Sequence, residues 1–389
     1  MTRLNEQAEC LQWAAKQHLD LVHLTGQEEL TLMQARAVLS WWHTSTGGLE
    51  FASGTPGKVG VQAYHWLIAK HGLAARNIDT AQRIDNPWVD AMSRDLALHI
   101  DWLTPDAFEL VDLAEPRVNW KIPPGQVMHL TEWDINGQFH ASAGIELGTG
   151  EPDRIEEPRT LDAYLRMPGY IRLAADPWGL VDHLPHTWRA FVRYTAGATM
   201  SMPTVRYLVK HGVELDAAEV VFWIRHRRHL STWYSLFRDA RFKLANAAAA
   251  GNLGAVIALG LLKMVCNLTL GGWLRSNKNP SDMMRRDWSD QIITEAWVRA
   301  LVAIDKAGQA GTPAVGMRRD AAWFLGPRNF QPAGLDVDTI WHESGVNGKL
   351  GKWKRTRSVP VTPQLRDAWK RTPEIVNKAI KASWESANV

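Results

Sequence analysis

Cysteine is scarce in this sequence of 389 residues, which contains only Cys10 and Cys266. Two cysteines are too few for a disulfide framework, and neither lies in a CxxC motif that would indicate a zinc site. A reducing, cytoplasmic environment is therefore predicted. Several nucleotide and metal motifs are also missing. The residues from Gly54 to Lys58 lack the spacing of a Walker loop, no dinucleotide fingerprint follows a predicted strand, and no HExxH occurs.

A strong charge imbalance is absent as well. Lys and Arg number 44 and Asp and Glu number 41, so the overall charge neither requires nor excludes a polyanionic partner. The N-terminus lacks the basic segment and apolar run of a secretory signal. The stretch from Leu244 to Leu262 has no charged residue and is long enough to span a bilayer, but it is rich in Ala and interrupted by Gly and Asn. It favours a buried helical hairpin, and no membrane association is predicted.

The length of the chain is sufficient for two or three packed subdomains. We predict an α+β fold in which an antiparallel sheet carries a projecting helical hairpin. The expected order is a mostly helical N-terminal region, a first sheet part with an irregular insertion, the hairpin, a second sheet part and a C-terminal helical segment. These regions cover residues 1–120, 121–212, 213–274, 275–360 and 361–389.

The helical hairpin is predicted from its caps and glycines. Asp216 and Glu219 have the spacing of a capping box and would begin a long helix that reaches Ala250. The residues from Gly251 to Gly254 would then turn the chain into a second helix that ends near Gly271. The two helices would be antiparallel neighbours.

Two aspartates are predicted at the ends of short strands. Val127 to Trp133 is predicted to be a buried strand with Asp134 at its end. Much later, Ala314–Met317 and Ala321–Leu325 would form a hairpin whose turn contains Asp320. Two carboxylates on neighbouring strands can hold the Mg²⁺ pair used in phosphoryl transfer, with water and substrate phosphates as further ligands. Asp is also common in turns, so each could simply cap one.

Basic residues are candidates for contacts with phosphate. Lys263 and Asn267 share one helix face, where the lysine could meet a triphosphate or lie along an amphipathic helix. Basic and aromatic residues, Arg241 and Lys243 among them, alternate along the first hairpin helix. This pattern suits phosphate contact and base stacking, and equally a solvated face over core aromatics. A second basic cluster surrounds Trp353 and comprises Lys349, Lys352, Lys354, Arg355 and Arg357.

In order and spacing, the motifs resemble those of family B DNA polymerases, especially the protein-primed branch. Asp134 to Phe139 is similar to the palm motif Asp-x-x-Ser-Leu-Tyr. Lys263 to Gly271 is similar to the fingers motif Lys-x-x-x-Asn-Ser-x-Tyr-Gly. Met202 to Leu208 and Leu350 to Lys354 are similar to a Thr-Pro-x-Leu-x-x-Leu element and to a Leu-Gly-x-Trp segment. The resemblance covers about residues 120 to 357.

The resemblance implies a palm sheet, fingers formed by the hairpin, and a short thumb. It implies a DNA polymerase that adds dNTPs to a 3′ hydroxyl with Mg²⁺ or Mn²⁺. Asp134 and Asp320 would be the metal ligands. Phe139 would occupy the position of the steric gate against ribonucleotides, and Lys263 and Asn267 would contact the incoming nucleotide.

Further residues are expected to bind nucleotide or DNA. Arg241 and Lys243 would assist nucleotide binding from the fingers. The implied partners are a DNA primer and template, dNTPs and, by likeness to protein-primed enzymes, a priming protein. A complete exonuclease domain is not expected. The expected contacts to the primer or template backbone are Lys352, Lys354 and Arg355.

The motifs also depart from the family pattern. Gly137-Gln138 replaces the Ser-Leu of the palm motif, and Arg318 stands where the family's Asp-Thr-Asp has its first Asp. A rival placement of the last acidic motif at Asp336 and Asp338 restores both carboxylates but has Pro and Gly where a strand should enter, so Asp320 is preferred. The departures support a second hypothesis, a catalytically degenerate polymerase-like protein that binds nucleic acid.

Overall fold

The computed structural model describes most of the chain between residues 31 and 387. The described residues are 31–50, 56–71, 102–103, 127–179, 191, 194–275, 285–318, 320–328, 330–337 and 350–387. Their helices are α1 (Leu32–Ser45), α2 (Pro56–His71), α3 (Gln138–Ser142), α4 (Met202–Lys210), α5 (Ser231–Ala249), α6 (Leu253–Leu268), α7 (Arg286–Gln309), α8 (Pro363–Trp369) and α9 (Pro373–Ala387). A π-helical segment, Thr269–Trp273, continues α6.

The strands of the described residues form three antiparallel sheets. They are β1 (Trp102–Leu103), β2 (His129–Ile135), β3 (Leu147–Gly148), β4 (Asp153–Glu156), β5 (Gly169–Leu173), β6 (Thr199–Ser201), β7 (Ala217–Phe222), β8 (His226–Arg227), β9 (Gly316–Arg318), β10 (Ala321–Gly326) and β11 (Trp353–Pro360). The five-stranded sheet has the order β1-β9-β10-β2-β11, the four-stranded sheet the order β4-β7-β5-β6, and β3 pairs with β8.

The two faces of the five-stranded sheet belong to different apolar clusters, because side chains alternate along each strand. Trp133 and Ile135 on one face pack with residues of the four-stranded sheet and with α7, including Trp297. Leu130 on the other face packs with α8 and α9, including Trp369. Apolar packing therefore covers both faces of the sheet. The acidic residues of β2 lie near one end of that strand.

The helical hairpin belongs to a third cluster, which joins α5 and α6 to α1 and α2. The turn between α5 and α6 contains Gly251 at φ +83°, and the Asn252 side chain accepts a hydrogen bond from the Ala255 amide at 3.1 Å, which caps α6. Leu253–Gly272 is the one candidate membrane span among the described residues by length and composition, and 61% of its apolar window is buried inside the protein. A core helix has the same properties.

The predicted helix from Asp216 is wrong in its first part. Ala217–Phe222 is the strand β7, and the helix begins only at Ser231. Pairing of β7 with β4 and β5 outweighs the local capping signal, since Val220 and Val221 suit a buried strand. Glu219 does not cap a helix; it is buried and ion-paired with basic side chains of the two neighbouring strands, Arg154 and Arg172.

One further expectation needs correction. The insertion that we expected to be irregular supplies β3 to β6 and α4. The N-terminal region, predicted to be mostly helical, also contributes β1 to the five-stranded sheet. Other expectations are confirmed by the coordinates. A hairpin is formed by β9 and β10, and two helices follow Pro360.

Candidate active site

Asp134 and Asp320 come together at one end of the five-stranded sheet. Asp134 lies on β2 opposite Ala321 of β10, and Asp320 directly precedes β10. The Ile135 amide donates a hydrogen bond to the Asp320 carbonyl at 3.1 Å, so the turn between β9 and β10 is attached to β2. Burial raises the pKa of Asp134 to about 7; Lys354 opposes this rise and the charge of Asp320 adds to it.

Lys354 of β11 is in contact with one of these carboxylates. It lies opposite Asp134 in register, and its Nζ is 3.0 Å from Asp134 Oδ2. Lys354 is also one of the residues expected to contact the DNA backbone, and that expectation stays a prediction. Among the described residues, no hydrogen-bond partner reaches the buried Oδ1 atom of Asp134. The contact with Lys354 therefore occupies only one of the two carboxylate oxygens.

Few side chains at this end of the five-stranded sheet could bind a metal ion. In the described parts of the chain, no group of three or more His, Cys, Asp or Glu side chains is arranged to hold a metal ion. Mg²⁺ commonly binds through one or two carboxylates and completes its octahedron with water and substrate phosphates. Asp134 and Asp320 fit this requirement, since they are adjacent carboxylates at one end of the sheet.

The helical hairpin brings Lys263 towards the carboxylates. Lys263 lies on α6, and burial together with the charges of Arg241 and Lys354 lowers its pKa to about 8, while Asp134 opposes the change. These charges act on one another only because the hairpin and the sheet end lie side by side. Asn267, one helical turn further along α6, is exposed.

Arg241 of α5 is buried and fixed to the chain that follows Asp134. Its Nη2 donates a hydrogen bond to Asn136 Oδ1, and burial lowers its pKa. Gly137, the next residue, is in the left-handed region at φ +58°, and a Cβ there would lie 3.2 Å from Arg241 Nη1. Lys243, two residues along α5, is exposed. The two basic residues expected to act together therefore differ in position.

Phe139 is half-buried and lies on α3, the helix that begins directly after Gly137. It packs against two of the apolar clusters, that of the hairpin helices and that of the two sheets. Gln138 anchors α3, because its Nε2 donates to the Ala296 carbonyl of α7 at 2.9 Å. Phe139 thus lies at the junction between sheet and hairpin.

The other two expected DNA contacts have different surroundings. Lys352 is ion-paired with Asp336, and Arg355 donates to the Arg328 carbonyl at 3.3 Å. Asp336, the rival acidic residue, is mostly exposed, and Asp338 lies outside the described residues. The carboxylate whose charge raises the pKa of Asp134 is that of Asp320.

Sequence reasoning missed the role of Glu132. This residue is buried on the same face of β2 as Asp134. It accepts hydrogen bonds from Trp323 Nε1 at 3.1 Å and Thr356 Oγ1 at 2.7 Å, and it lies 3.6 Å from Arg357. Its position two residues before Asp134 was the available signal. With these partners, Glu132 acts as a positioning residue between strands.

The architecture is shared with solved structures. The fold is similar to that of phi29 DNA polymerase. The ternary complex of that enzyme with primer-template DNA and incoming nucleotide substrates matches with a TM-score of 0.52 and 13% identity, over 85% of this chain and 56% of that chain. Its post-translocation binary complex with primer-template DNA matches with a TM-score of 0.50 and 15% identity, over 84% and 55%.

At this identity the likeness concerns the fold alone. The chain spans a little over half the length of the phi29 polymerase chains that it matches. No family model matches the sequence, and no curated protein matches it. The comparison therefore indicates a distant fold relationship with a protein-primed family B polymerase.

Proposed function

We propose that the chain is a DNA polymerase-type nucleotidyltransferase that adds dNTPs to a 3′ hydroxyl. The observation that carries the proposal is the convergence of two carboxylates, Asp134 and Asp320, with Lys263 and Arg241 of the hairpin. This is a charge arrangement suited to a nucleoside triphosphate with divalent cations. The fold of a polymerase that binds primer-template DNA supports it.

In this proposal the five-stranded sheet serves as the palm and the α5–α6 hairpin as the fingers. The hairpin holds two cations opposite the sheet end, where a triphosphate would lie between them and the carboxylates. Lys263 would meet the triphosphate as a point charge. Arg241 is held by Asn136, so it would keep the turn after Asp134 in place as well as contribute charge.

Asp134 and Asp320 would hold Mg²⁺ or Mn²⁺, which when bound polarises the phosphoryl group and lowers the pKa of the attacking hydroxyl. Lys354 neutralises Asp134 on Oδ2. Phe139 would contact the sugar from the first turn after Asp134. Lys352, Arg355 and the exposed Lys243 would contact the DNA backbone or the nucleotide.

The test is extension of a labelled DNA primer on a template with dNTPs and Mg²⁺ or Mn²⁺. Asp134→Asn and Asp320→Asn should each abolish extension while leaving the folded state intact. Asp336→Asn is the matched control, because Asp336 is an exposed carboxylate, and it should extend normally. An Asp134→Asn protein as active as the parent would overturn the assignment, and loss of activity in Asp336→Asn alone would transfer it to the rival motif.

A second candidate function is binding of nucleic acid without catalysis. The observation that favours it is the pair of cations near the carboxylates: Lys354 on Asp134, and Arg318 at the end of β9 beside the Asp320 turn. Metal-dependent binding of dNTPs separates the two candidates. A degenerate protein would bind DNA in a salt-sensitive manner but would show no Mg²⁺-dependent affinity for dNTPs.

A further inference from the structure

A cavity of about 540 Å³ is lined by residues other than those of the candidate active site. Its walls are formed by the loops 144–146 and 165–168 together with α4, α7 and Arg228. The Arg299 side chain of α7 donates to the Ala141 carbonyl at 3.1 Å, which links this wall to the short helix α3. The volume is within the range of small-molecule sites.

The charge of the cavity wall is predominantly positive. Four arginines line it, and two of them share one carboxylate: Glu295 lies 2.9 Å from Arg299 and 3.6 Å from Arg206. The remaining two are Arg166 and Arg228, which are exposed and whose guanidinium groups have no ion-pair or hydrogen-bond partner among the described residues. The wall thus has two guanidinium groups available to an incoming anion.

Among the described residues, the second carboxylate of the wall, Glu146, has no ion pair with either of these two arginines. It lies 3.1 Å from His226 Nδ1 instead. With four arginines and two glutamates, the cavity wall keeps a net positive charge.

The wall also offers apolar surface. Ile145, Leu165 and Pro168 line the cavity beside the arginines. A guanidinium group binds phosphate in a planar, two-donor geometry and also stacks on aromatic bases, and apolar side chains provide a face against which a base can lie. A simple inorganic anion would use only the charge and leave the apolar wall and much of the volume unfilled.

We propose that this cavity binds a phosphorylated nucleoside, with the phosphate between Arg166 and Arg228 and the base against the apolar wall. The nucleotide can come from two sources, a free nucleotide or one unit of a single strand. The inference goes beyond the proposed catalytic function, because it requires no chemistry at Asp134 and is tested by binding alone.

The experiment measures binding of a short fluorescein-labelled oligo(dT) by anisotropy over a range of salt concentrations, without metal. The test protein is Arg166→Ala/Arg228→Ala. The matched control is Arg36→Ala/Lys210→Ala, which also removes two exposed cations, one of them on α4. The test variant should bind at least about tenfold more weakly. Its slope of log affinity against log salt should fall by about 0.7, because the two arginines together neutralise one phosphate of the strand.

Competition identifies the source of the nucleotide. If dTMP displaces the oligonucleotide from the parent protein and the test variant does not bind dTMP, the site accepts a free nucleotide. If the oligonucleotide binds but dTMP does not, and only the test variant weakens oligonucleotide binding, the site accepts one nucleotide unit of a strand. Equal effects of the test and control variants would overturn the proposal, and so would inorganic phosphate that competes as well as dTMP.

Asp134→Asn separates this proposal from the catalytic one. The substitution should abolish primer extension but leave oligo(dT) binding at the cavity unchanged. If the protein does not extend primers but removal of Arg166 and Arg228 still weakens oligo(dT) binding, the cavity remains assigned as a nucleotide site. Circular dichroism of both double variants should be unchanged, since all four substituted side chains are exposed.

Discussion

Lys354 Nζ lies 3.0 Å from Asp134 Oδ2, which places an ammonium group on a carboxylate proposed to bind a metal ion. The relationship follows from strand register, because β11 pairs with β2 so that these two residues face each other. The side chain of Lys354 is 28% exposed, so it can move into solvent when another cation approaches. If Asp134 binds a metal ion as proposed, Lys354 would compete with that ion for Oδ2.

Removal of this competitor should strengthen metal binding. In Lys354→Met, the Mg²⁺ concentration for half-maximal primer extension should fall about threefold or more, as expected for the loss of a partly exposed ion pair. The assay is run at several pH values above 7, because Lys354 lowers the pKa of Asp134 and its removal shifts ionisation of this carboxyl to higher pH. Lys352→Met is the control, because Lys352 is paired with Asp336. An unchanged or higher Mg²⁺ requirement in Lys354→Met would contradict the competition.

Asp134 should make the protein less stable as pH rises. Burial raises its pKa to about 7, above the value of about 3.9 in an unfolded chain. The unfolded state therefore releases the proton first, so the contribution of Asp134 is fully present below about pH 4 and is lost as pH rises through about 7. Asp134→Asn cannot ionise and should be more stable than the parent at pH 8, by on the order of 1–3 kcal/mol.

Urea unfolding at pH 5 and pH 8 measures this difference. The gain from Asp134→Asn should be smaller at pH 5 than at pH 8. Asp336→Asn, which removes an exposed carboxylate, should show no gain that grows with pH. If Asp134→Asn is less stable than the parent at pH 8, then the ion pair with Lys354 outweighs the cost of burial.

Gly137 is required by both conformation and space. Its φ is +58°, and a Cβ would overlap the Leu350 side chain and lie 3.2 Å from Arg241 Nη1. Leu350 can rotate away, but Arg241 cannot move without leaving Asn136. Gly137→Ala should therefore cost about 1–3 kcal/mol of stability by overpacking in addition to the backbone cost, and it should weaken dNTP binding.

Gly179 provides a matched comparison. It has a similar φ of +54°, and no atom of the described residues lies within 4 Å of its Cβ position. Gly179→Ala should show the backbone cost alone, about 1 kcal/mol. Denaturant unfolding of the two variants gives the difference, and equal losses would mean that the space beside Arg241 is not limiting.

The predictable parts of the fold are those with strong local signals. The strands around Asp320 have turn residues between apolar runs, and the turn at Gly251 separates two helical patterns, so both could be placed from sequence. β7 could not, because Asp216 and Glu219 have capping-box spacing while Glu219 is in fact held by Arg154 and Arg172 from other strands. Such pairing between distant segments has no local signature.

In the candidate site, as in the fold, some features follow from sequence signals and others depend on contacts between distant segments. The spacing of the motifs was sufficient to nominate Asp134, Asp320 and Lys263 as neighbours. The register of β11 decides that Lys354 contacts Asp134, and a one-residue shift would have turned Lys354 to the other face. The difference between buried Arg241 and exposed Lys243 depends on how α5 packs, which the basic composition of the segment does not encode.

Arg241 and Lys243 should therefore differ in their effects on nucleotide binding. Arg241→Ala removes a buried cation and leaves Asn136 without this donor, so KM for dNTP should rise by about tenfold and stability should fall by about 1–3 kcal/mol. Lys243→Ala should change either quantity little, because its side chain is exposed. Steady-state extension kinetics and thermal unfolding measure both. A larger effect of Lys243→Ala on KM would mean that the nucleotide lies on the outer face of α5.

Nucleotide binding should weaken with rising pH through the titration of Lys263. Burial and the charges of Arg241 and Lys354 lower the pKa of Lys263 to about 8. The ammonium group is charged below that pH and neutral above it, so the affinity for a dNTP should fall as pH rises through about 8. Equilibrium dNTP binding between pH 7.5 and 10 measures the effect, since the predicted pKa lies within that interval.

Two variants decide whether the lysine charge is the cause. Lys263→Arg stays charged throughout this range, so its affinity should be independent of pH where the parent loses affinity. Lys263→Met should bind weakly at every pH, by about tenfold or more relative to the parent at pH 7.5, because a charged contact to phosphate is absent. A parent protein whose dNTP affinity does not change between pH 7.5 and 10 would show that Lys263 does not meet the triphosphate, and an unaltered pH profile in Lys263→Arg would assign the titration to another group.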